Sequence, residues 1–257
     1  MDWLNSCAGF VVGLLVGFTG VGGGALMTPL LVLMFGVAPQ TAVGTDLLYA
    51  TVTKSVGSAI HGAFGAVDWH VLRRLWLGSL PAAMATILLL HSSSGRDELA
   101  RLILPMLSVA LVFTGAIMLA SRRLLQRLNE SAFPERFKRF QSAMTVAAGA
   151  VLGFLVTLTS VGAGAIGAVI LVYLYPKRLR GTKLVGADIA HAIPLTLVAG
   201  LGHAQLGYVD FRLLGLLLLG SIPGIAIGAF LSHRVSPQVI RGAIAVMLIV
   251  VGVKLFT

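Results

Sequence analysis

Cysteine is almost missing. The single Cys7 leaves no disulfide framework within the chain and no CxxC redox or zinc motif. Charge is scarce too: 11% of residues are charged, against about 25% in soluble domains, which excludes a water-soluble fold. Acidic side chains are fewest, nine against nineteen Lys and Arg. The formal charge of +10 does not read as nucleic-acid binding, because the basic residues gather in loops between apolar runs, where they suit anionic lipid heads. The first apolar segment has no basic flank of the kind that precedes a cleavable signal peptide, and it is expected to be retained.

What the sequence has in quantity is apolar surface. Hydrophobic residues make up 57% of the chain and the mean hydropathy is +0.96. Apolar runs near 4–35, 70–90, 102–120, 143–175, 213–231 and 238–253 are long enough to span or enter a bilayer, for which about 20 residues suffice. Two less apolar segments, 41–66 and 182–207, lie between them. The expectation is an all-α integral membrane protein.

Within the first run stands Gly17-Phe-Thr-Gly-Val-Gly-Gly-Gly-Ala-Leu-Met-Thr-Pro-Leu30. Glycine costs a helix interior about 1 kcal/mol against alanine and proline about 3. The chain is therefore expected to unwind near Gly20 to Gly24 and restart as a second, short helix. At membrane depth, unwound backbone is tolerated only where protein buries it or water reaches it, so the break is a candidate binding site.

The device recurs. Thr159-Ser-Val-Gly-Ala-Gly-Ala165 repeats Thr19-Gly-Val-Gly-Gly-Gly-Ala25 at an offset of 140, after which the offset settles at 142. There Gly44-Thr-Asp46 matches Gly186-Ala-Asp188, His61 matches His203, Val67-Asp68 matches Val209-Asp210, and Gly78-Ser-Leu-Pro81 matches Gly220-Ser-Ile-Pro223. The chain is thus read as two copies of one unit, residues 1–121 and 141–257, joined by a basic linker at 122–140. Such duplications are a transporter design with the substrate at the repeat interface.

Basic residues discriminate between two topologies. If each glycine segment crossed the membrane once, the loops would divide ten to eight. If each entered, turned and left on the same side, fourteen basic residues would share the face carrying loops 66–74, 121–140, 176–183 and 232–241, leaving four opposite. The positive-inside rule favours the second arrangement. It gives two re-entrant or broken helical hairpins and three full crossings per repeat. An odd number of crossings inverts one copy relative to the other.

Ionisable groups sit on the two less apolar helices. Asp46, Lys54 and His61 lie within about 80° of one helical face, and Asp188, His191 and His203 within about 60° of Asp188. Such groups at membrane depth usually pair with one another and are functional by default, although a structural ion pair stitching helices together would look the same. Lys54 has no basic counterpart, since Thr196 stands at its matched position. Pro81 and Pro223 are expected to kink their helices.

A helix restarting after the glycines offers unpaired N–H groups and the positive end of its dipole to an anion. The site expected from the residues comprises Thr19, Gly20, Gly22, Gly23, Gly24 and Ala25 from one break and Thr159, Ser160, Gly162, Ala163 and Gly164 from the other, with Lys54 supplying a full charge. Asp46, Asp188, His61, His191 and His203 are candidates for proton coupling, unless the aspartates merely cap nearby backbone. No metal and no cofactor is expected, because the histidines lack the close spacing of metal motifs. Gly20 to Ala25 also fits a dinucleotide fingerprint, but no strand signal precedes it, and no Gly-Lys-Ser/Thr follows for a Walker loop. The competing class is an integral membrane enzyme acting on a lipid or quinone through His and Asp. A channel is a weaker option, as nothing resembles a pore filter. Gly13-Leu-Leu-Val-Gly17 could pack within one chain or between two copies of a homo-oligomer.

Taken together, the opening Gly-Phe-x-Gly-x-Gly-Gly-Gly-x-Leu-x-x-Pro-Leu, the following Val-Gly-Thr-Asp and the duplication resemble the TauE/SafE sulfite-exporter family, over essentially the whole chain. The resemblance implies a secondary transporter of the bacterial inner membrane that moves small sulfur-containing or carboxylate anions such as sulfite or sulfoacetate. The second copy departs from the pattern at Ala163 and Val169.

Overall fold

The computed structural model describes residues 2–19, 24–61, 67–130, 135–176, 178–179, 182–231 and 237–256. Those residues form helices α1 (Asp2–Thr19), α2 (Gly24–Phe35), α3 (Pro39–His61), α4 (Trp69–His91), α5 (Ser93–Glu130), α6 (Gln141–Thr159), α7 (Ala165–Leu174), α8 (Thr182–Gln205), α9 (Phe211–Leu231) and α10 (Pro237–Phe256), with a short 3-10 turn at Glu135–Phe140. The element order repeats. Each half opens with a long and a short helix separated by a break and continues with three long helices.

Five stretches among the described residues are long and apolar enough to cross a membrane: Trp69–His91, Arg101–Ala120, Lys138–Thr159, Lys183–Gln205 and Phe211–Leu231. The outer surface carries large apolar side chains such as Leu77, Leu88, Leu219 and Phe230. This is a multi-pass membrane protein. α3, with Asp46 and Lys54 along it, is not among the five, whereas the stretch ending in α6 is. The two arms around each break are unequal. α1 and α6 have 18 and 19 residues, about 27 and 28 Å at 1.5 Å per residue, while α2 and α7 have 12 and 10.

Helix α1 is described to Thr19 and α2 from Gly24, and Gly20 to Gly23, where the first break is expected, lie outside the described residues. The second break is visible. Ser160 terminates α6 in the left-handed conformation with φ 57°, and Gly162 has φ 112°, which favours a residue without a Cβ. Thr159, Ser160, Val161, Gly162 and Ala163 are buried, so protein encloses the unwound backbone.

The two short helices are anchored in separate cores. Leu26, Met27 and Leu31 of α2 join one core with Tyr49, Leu107, Leu111, Leu217 and Leu248. Leu171 and Leu174 of α7 join another with Val71, Leu75 and Leu152. Around them the halves exchange partners: α1 packs on α9 and α6 on α4, while α3 lies beside α8 and α5 beside α10. Small residues permit the exchange. A Cβ on Gly13 would stand 2.4 Å from the backbone oxygen of Ser221, and one on Gly153 would stand 2.2 Å from that of Ser79. The small-residue pattern at Gly13 and Gly17 therefore packs within the chain, against α9.

Contacts between chain ends tie the loops together. The Gln141 amide donates to the Leu174 carbonyl, and the Thr145 and Tyr175 hydroxyls are 2.8 Å apart, so the start of α6 adjoins the end of α7. Arg178, just beyond α7, makes a two-pronged hydrogen-bonded pair with Asp68, just before α4. At another junction the Asp210 N–H donates to Thr45 Oγ1 at 3.1 Å. Asp68 and Asp210 also cap α4 and α9, accepting from the Val71 and Leu213 N–H groups. The matched Val-Asp pairs are thus helix N-caps. Beyond residue 121, α5 continues helically to Glu130, so part of the expected linker extends a transmembrane helix.

Candidate functional site in the membrane interior

The α3–α8 seam is the polar axis of the molecule. Thr45, Asp46, Thr53, Lys54 and Ser58 on α3 are buried, as are Asp188, His191, Thr196 and His203 on α8. Thr51 Oγ1 donates to Thr196 Oγ1 at 2.9 Å and joins the two helices midway. A soluble core seldom carries this many polar groups, and a lipid-facing surface could not.

Asp46 reaches the first turns of α2. Its Oδ2 accepts from the Thr28 N–H at 3.2 Å and from the Thr28 hydroxyl. A carboxylate here complements the helix's positive end. Ser160, from the other half's break, faces the same carboxylate, yet neither Ser160 Oγ nor Asp46 Oδ1 closes a hydrogen bond. The first turns of α2 and the second break therefore meet at Asp46.

Asp188 holds the matched place beside α7, where a Cβ on Gly167 would lie 3.6 Å from its Oδ1. That oxygen is buried without a donor among the described residues. Lys54 lies within electrostatic range of Asp46, Asp188 and His191, and forms no ion pair with either carboxylate. Thr196 marks the opposite side, as the asymmetry of the repeat predicts.

The second break presents backbone donors. The N–H groups of Gly162, Ala163, Gly164, Ala165 and Ile166 donate to no acceptor among the described residues, while Gly167 and Ala168 return to the carbonyls of Gly162 and Gly164. Thr159 is otherwise engaged. Its hydroxyl bonds to Leu155 and Val161 within its own turn.

The histidines separate. His191 Nε2 lies 2.9 Å from Ser79 Oγ on α4, in contact with the polar seam. His203 donates Nε2–H to the Thr157 carbonyl at 2.9 Å and packs on Tyr208, which ties α8 to α6. His61 ends α3, and its side chain lies outside the described set, as do those of Thr19 and Ala25. Gly20, Gly22 and Gly23 lie outside the described residues, and Gly24 opens α2.

Sequence reasoning missed Thr28, Ser79, Ser221 and Tyr49. The signal for three of them was present. Ser79 and Ser221 lie within the matched Gly-Ser-x-Pro tetrapeptides, read above for their prolines, and Tyr49 occupies the position matched to His191. In the structure Tyr49 lies near Ser221 without closing a hydrogen bond to it, whereas His191 Nε2 and Ser79 Oγ are 2.9 Å apart. Thr28 carried no such signal, because Ala168 stands at its counterpart.

The family model described as sulfite exporter TauE/SafE matches residues 6–255. The probable membrane transporter protein YjnA of Bacillus subtilis is 39% identical over 251 residues, covering 96% of both chains. YdhB of the same organism, also named a probable membrane transporter, is 24% identical with 96% of each chain covered. A probable membrane transporter protein of Xylella fastidiosa is 25% identical over 89% of this chain and 84% of its own. No solved structure matches. These proteins are transporters by name rather than enzymes, and the chain, matched across nearly its whole length, belongs to the TauE/SafE sulfite-exporter family of membrane transporters.

Proposed function

We propose that this protein is a secondary transporter of the bacterial inner membrane that exports small sulfur-containing anions, bound between the two helix breaks. The observation that carries the reading is the run of five backbone N–H groups, Gly162 to Ile166, without acceptors among the described residues. It lies at the positive end of α7 and next to the unpartnered hydroxyl of Ser160. Lys54 supplies the full positive charge. The glycines allow backbone to approach the ligand, and the inside-negative voltage favours outward movement of an anion by about 2.3 kcal/mol per charge per 100 mV.

The same reading takes the halves as inverted repeats with re-entrant arms. Support comes from the junctions: Gln141 bonds to Leu174, so the unit α6–α7 begins and ends together, and Arg178 bonds to Asp68, which joins two loops that the charge distribution assigns to one face. A single passage through each glycine segment would set Arg178 and Asp68 on opposite sides.

Proteoliposome flux of sulfite and sulfoacetate, beside empty liposomes, tests the reading. Saturable flux is expected in the parent. Lys54→Gln is expected to weaken apparent affinity at least tenfold, and Gly162→Val, which strains a φ of 112° and closes the break, is expected to abolish flux. Folded parent protein that moves neither anion would remove the sulfur-anion assignment.

A further inference from the structure

The polar centre is chemically lopsided. Asp46 holds two hydrogen bonds from Thr28 on one oxygen. Asp188 is only 9% exposed, and its Oδ1 is buried with no partner among the described residues. The cause lies in the short helices: α2 brings Thr28 to its aspartate, whereas α7 brings Gly167 and has Ala168 at the counterpart of Thr28. Leu152 of α6 closes the same corner, its Cδ1 as near to the Gly167 position as Asp188 Oδ1 is.

The charged and titratable groups facing Asp188 are few. α3 contributes Lys54, and His191 stands three positions further along α8. From α4 comes Ser79, already bonded to His191, while α6 and α7 present Leu152 and Gly167. Among the described residues, Lys54 is the one ammonium that acts on both aspartates. With both carboxylates ionised, the centre holds two negative charges and one positive. An arriving anion would then add a second uncompensated negative charge at low dielectric, where like charges repel strongly. A single proton on one carboxylate removes that conflict.

We propose that Asp188 carries this proton while Asp46 stays ionised on Thr28, so that anion and proton occupy the centre together and cross in the same direction. The proposal rests on the anion-carrier reading above. It adds the coupling and revises the energetics above: with one proton a monovalent anion crosses without net charge and a dianion such as sulfoacetate with a single charge, so the voltage acts on one charge fewer and the pH difference enters in its place. The two matched aspartates thereby have different duties. Asp46 holds α2 in place, and Asp188 balances the substrate.

Two measurements test it. In proteoliposomes containing a trapped pH dye, a sulfoacetate pulse is expected to acidify the lumen in the parent. In Asp188→Asn the ratio of protons to sulfoacetate moved is expected to fall at least tenfold, and the remaining flux to lose its dependence on pH between 6 and 8. Asp46→Asn is expected to reduce flux but keep the ratio. Independently, infrared spectra of the solubilised protein titrated over the same range are expected to show a protonated-carboxyl C=O band that Asp188→Asn removes, Asp188→Glu shifts and Asp46→Asn retains. A band lost with Asp46 instead, or an unchanged proton ratio in Asp188→Asn, would overturn the proposal. If the parent moves no sulfoacetate, the anion-carrier reading fails in its substrate, and the infrared result still decides which aspartate binds the proton.

Discussion

At Asp68 opposing effects meet on one carboxyl. Partial burial pushes its pKa up, and the hydrogen bonds from Arg178 and the Val71 N–H, with the guanidinium charge, more than offset this and hold it below the ordinary carboxylate range. A depressed folded value means stability that is fully present above the unfolded pKa, near 4, and is lost as pH falls through the folded value. Arg178 is half exposed, so the ion pair itself contributes at most about 1 kcal/mol. Asp68→Asn keeps a capping side chain and is expected to cost less than about 1 kcal/mol at pH 7, whereas Asp68→Ala, losing cap and pair together, is expected to cost about 1–2. Thermal unfolding in detergent would check this, with the difference between parent and Asp68→Asn shrinking towards zero as the buffer is taken from pH 7 to pH 3. The role of Asp68 was only half legible in the sequence. Its match to Asp210 marked the repeat, but capping requires the helix start to be known to a residue, and Arg178 lies 110 positions away.

Among the helices, glycine acts in two opposite ways that sequence alone does not distinguish. Gly13 of α1 touches backbone of α9, and a Cβ there would meet the Ser221 oxygen at 2.4 Å. Gly215, on α9 itself, has nothing within 4 Å of its missing Cβ. Gly13→Ala is therefore expected to force the two helices apart and to destabilise by roughly 1–3 kcal/mol, as overpacking does. Gly215→Ala is expected to be neutral or to stabilise by up to about 1 kcal/mol through helix propensity. Unfolding midpoints of the two variants, measured side by side, should move in opposite directions or differ by several degrees. The position of the second break was legible from its match to the first glycine run, although the proline of that run, Pro29, lies inside α2. The shortness of the restarted helix was expected too, and α2 and α7 have 12 and 10 residues.

For the molecule as a whole, the duplication was the most readable feature, because it needs only comparison of the chain with itself. The polar axis followed from it: Asp46, Lys54, Asp188 and His191 come together on α3 and α8 as their helical spacing suggested. The inequality of the aspartates was hidden. It depends on what α2 and α7 place against them, a threonine in one half and glycine and alanine in the other, and such neighbours are fixed by three-dimensional packing rather than by position in the repeat.

The exchange of partners, α1 on α9 and α6 on α4, also governs how the protein is made. When α1 leaves the ribosome, the surface that will cover Gly9 belongs to Leu217, some 200 residues further on. At about 5–20 residues per second, α1 must wait in the membrane for about 10–40 s, its glycine face against lipid or an insertion chaperone. Neither half is then expected to be stable alone. Residues 1–130 and 131–257 made as separate chains should each be degraded, yet should accumulate and co-purify when expressed together. Independent survival of either half would mean that the exchanged helices contribute little to holding the protein together.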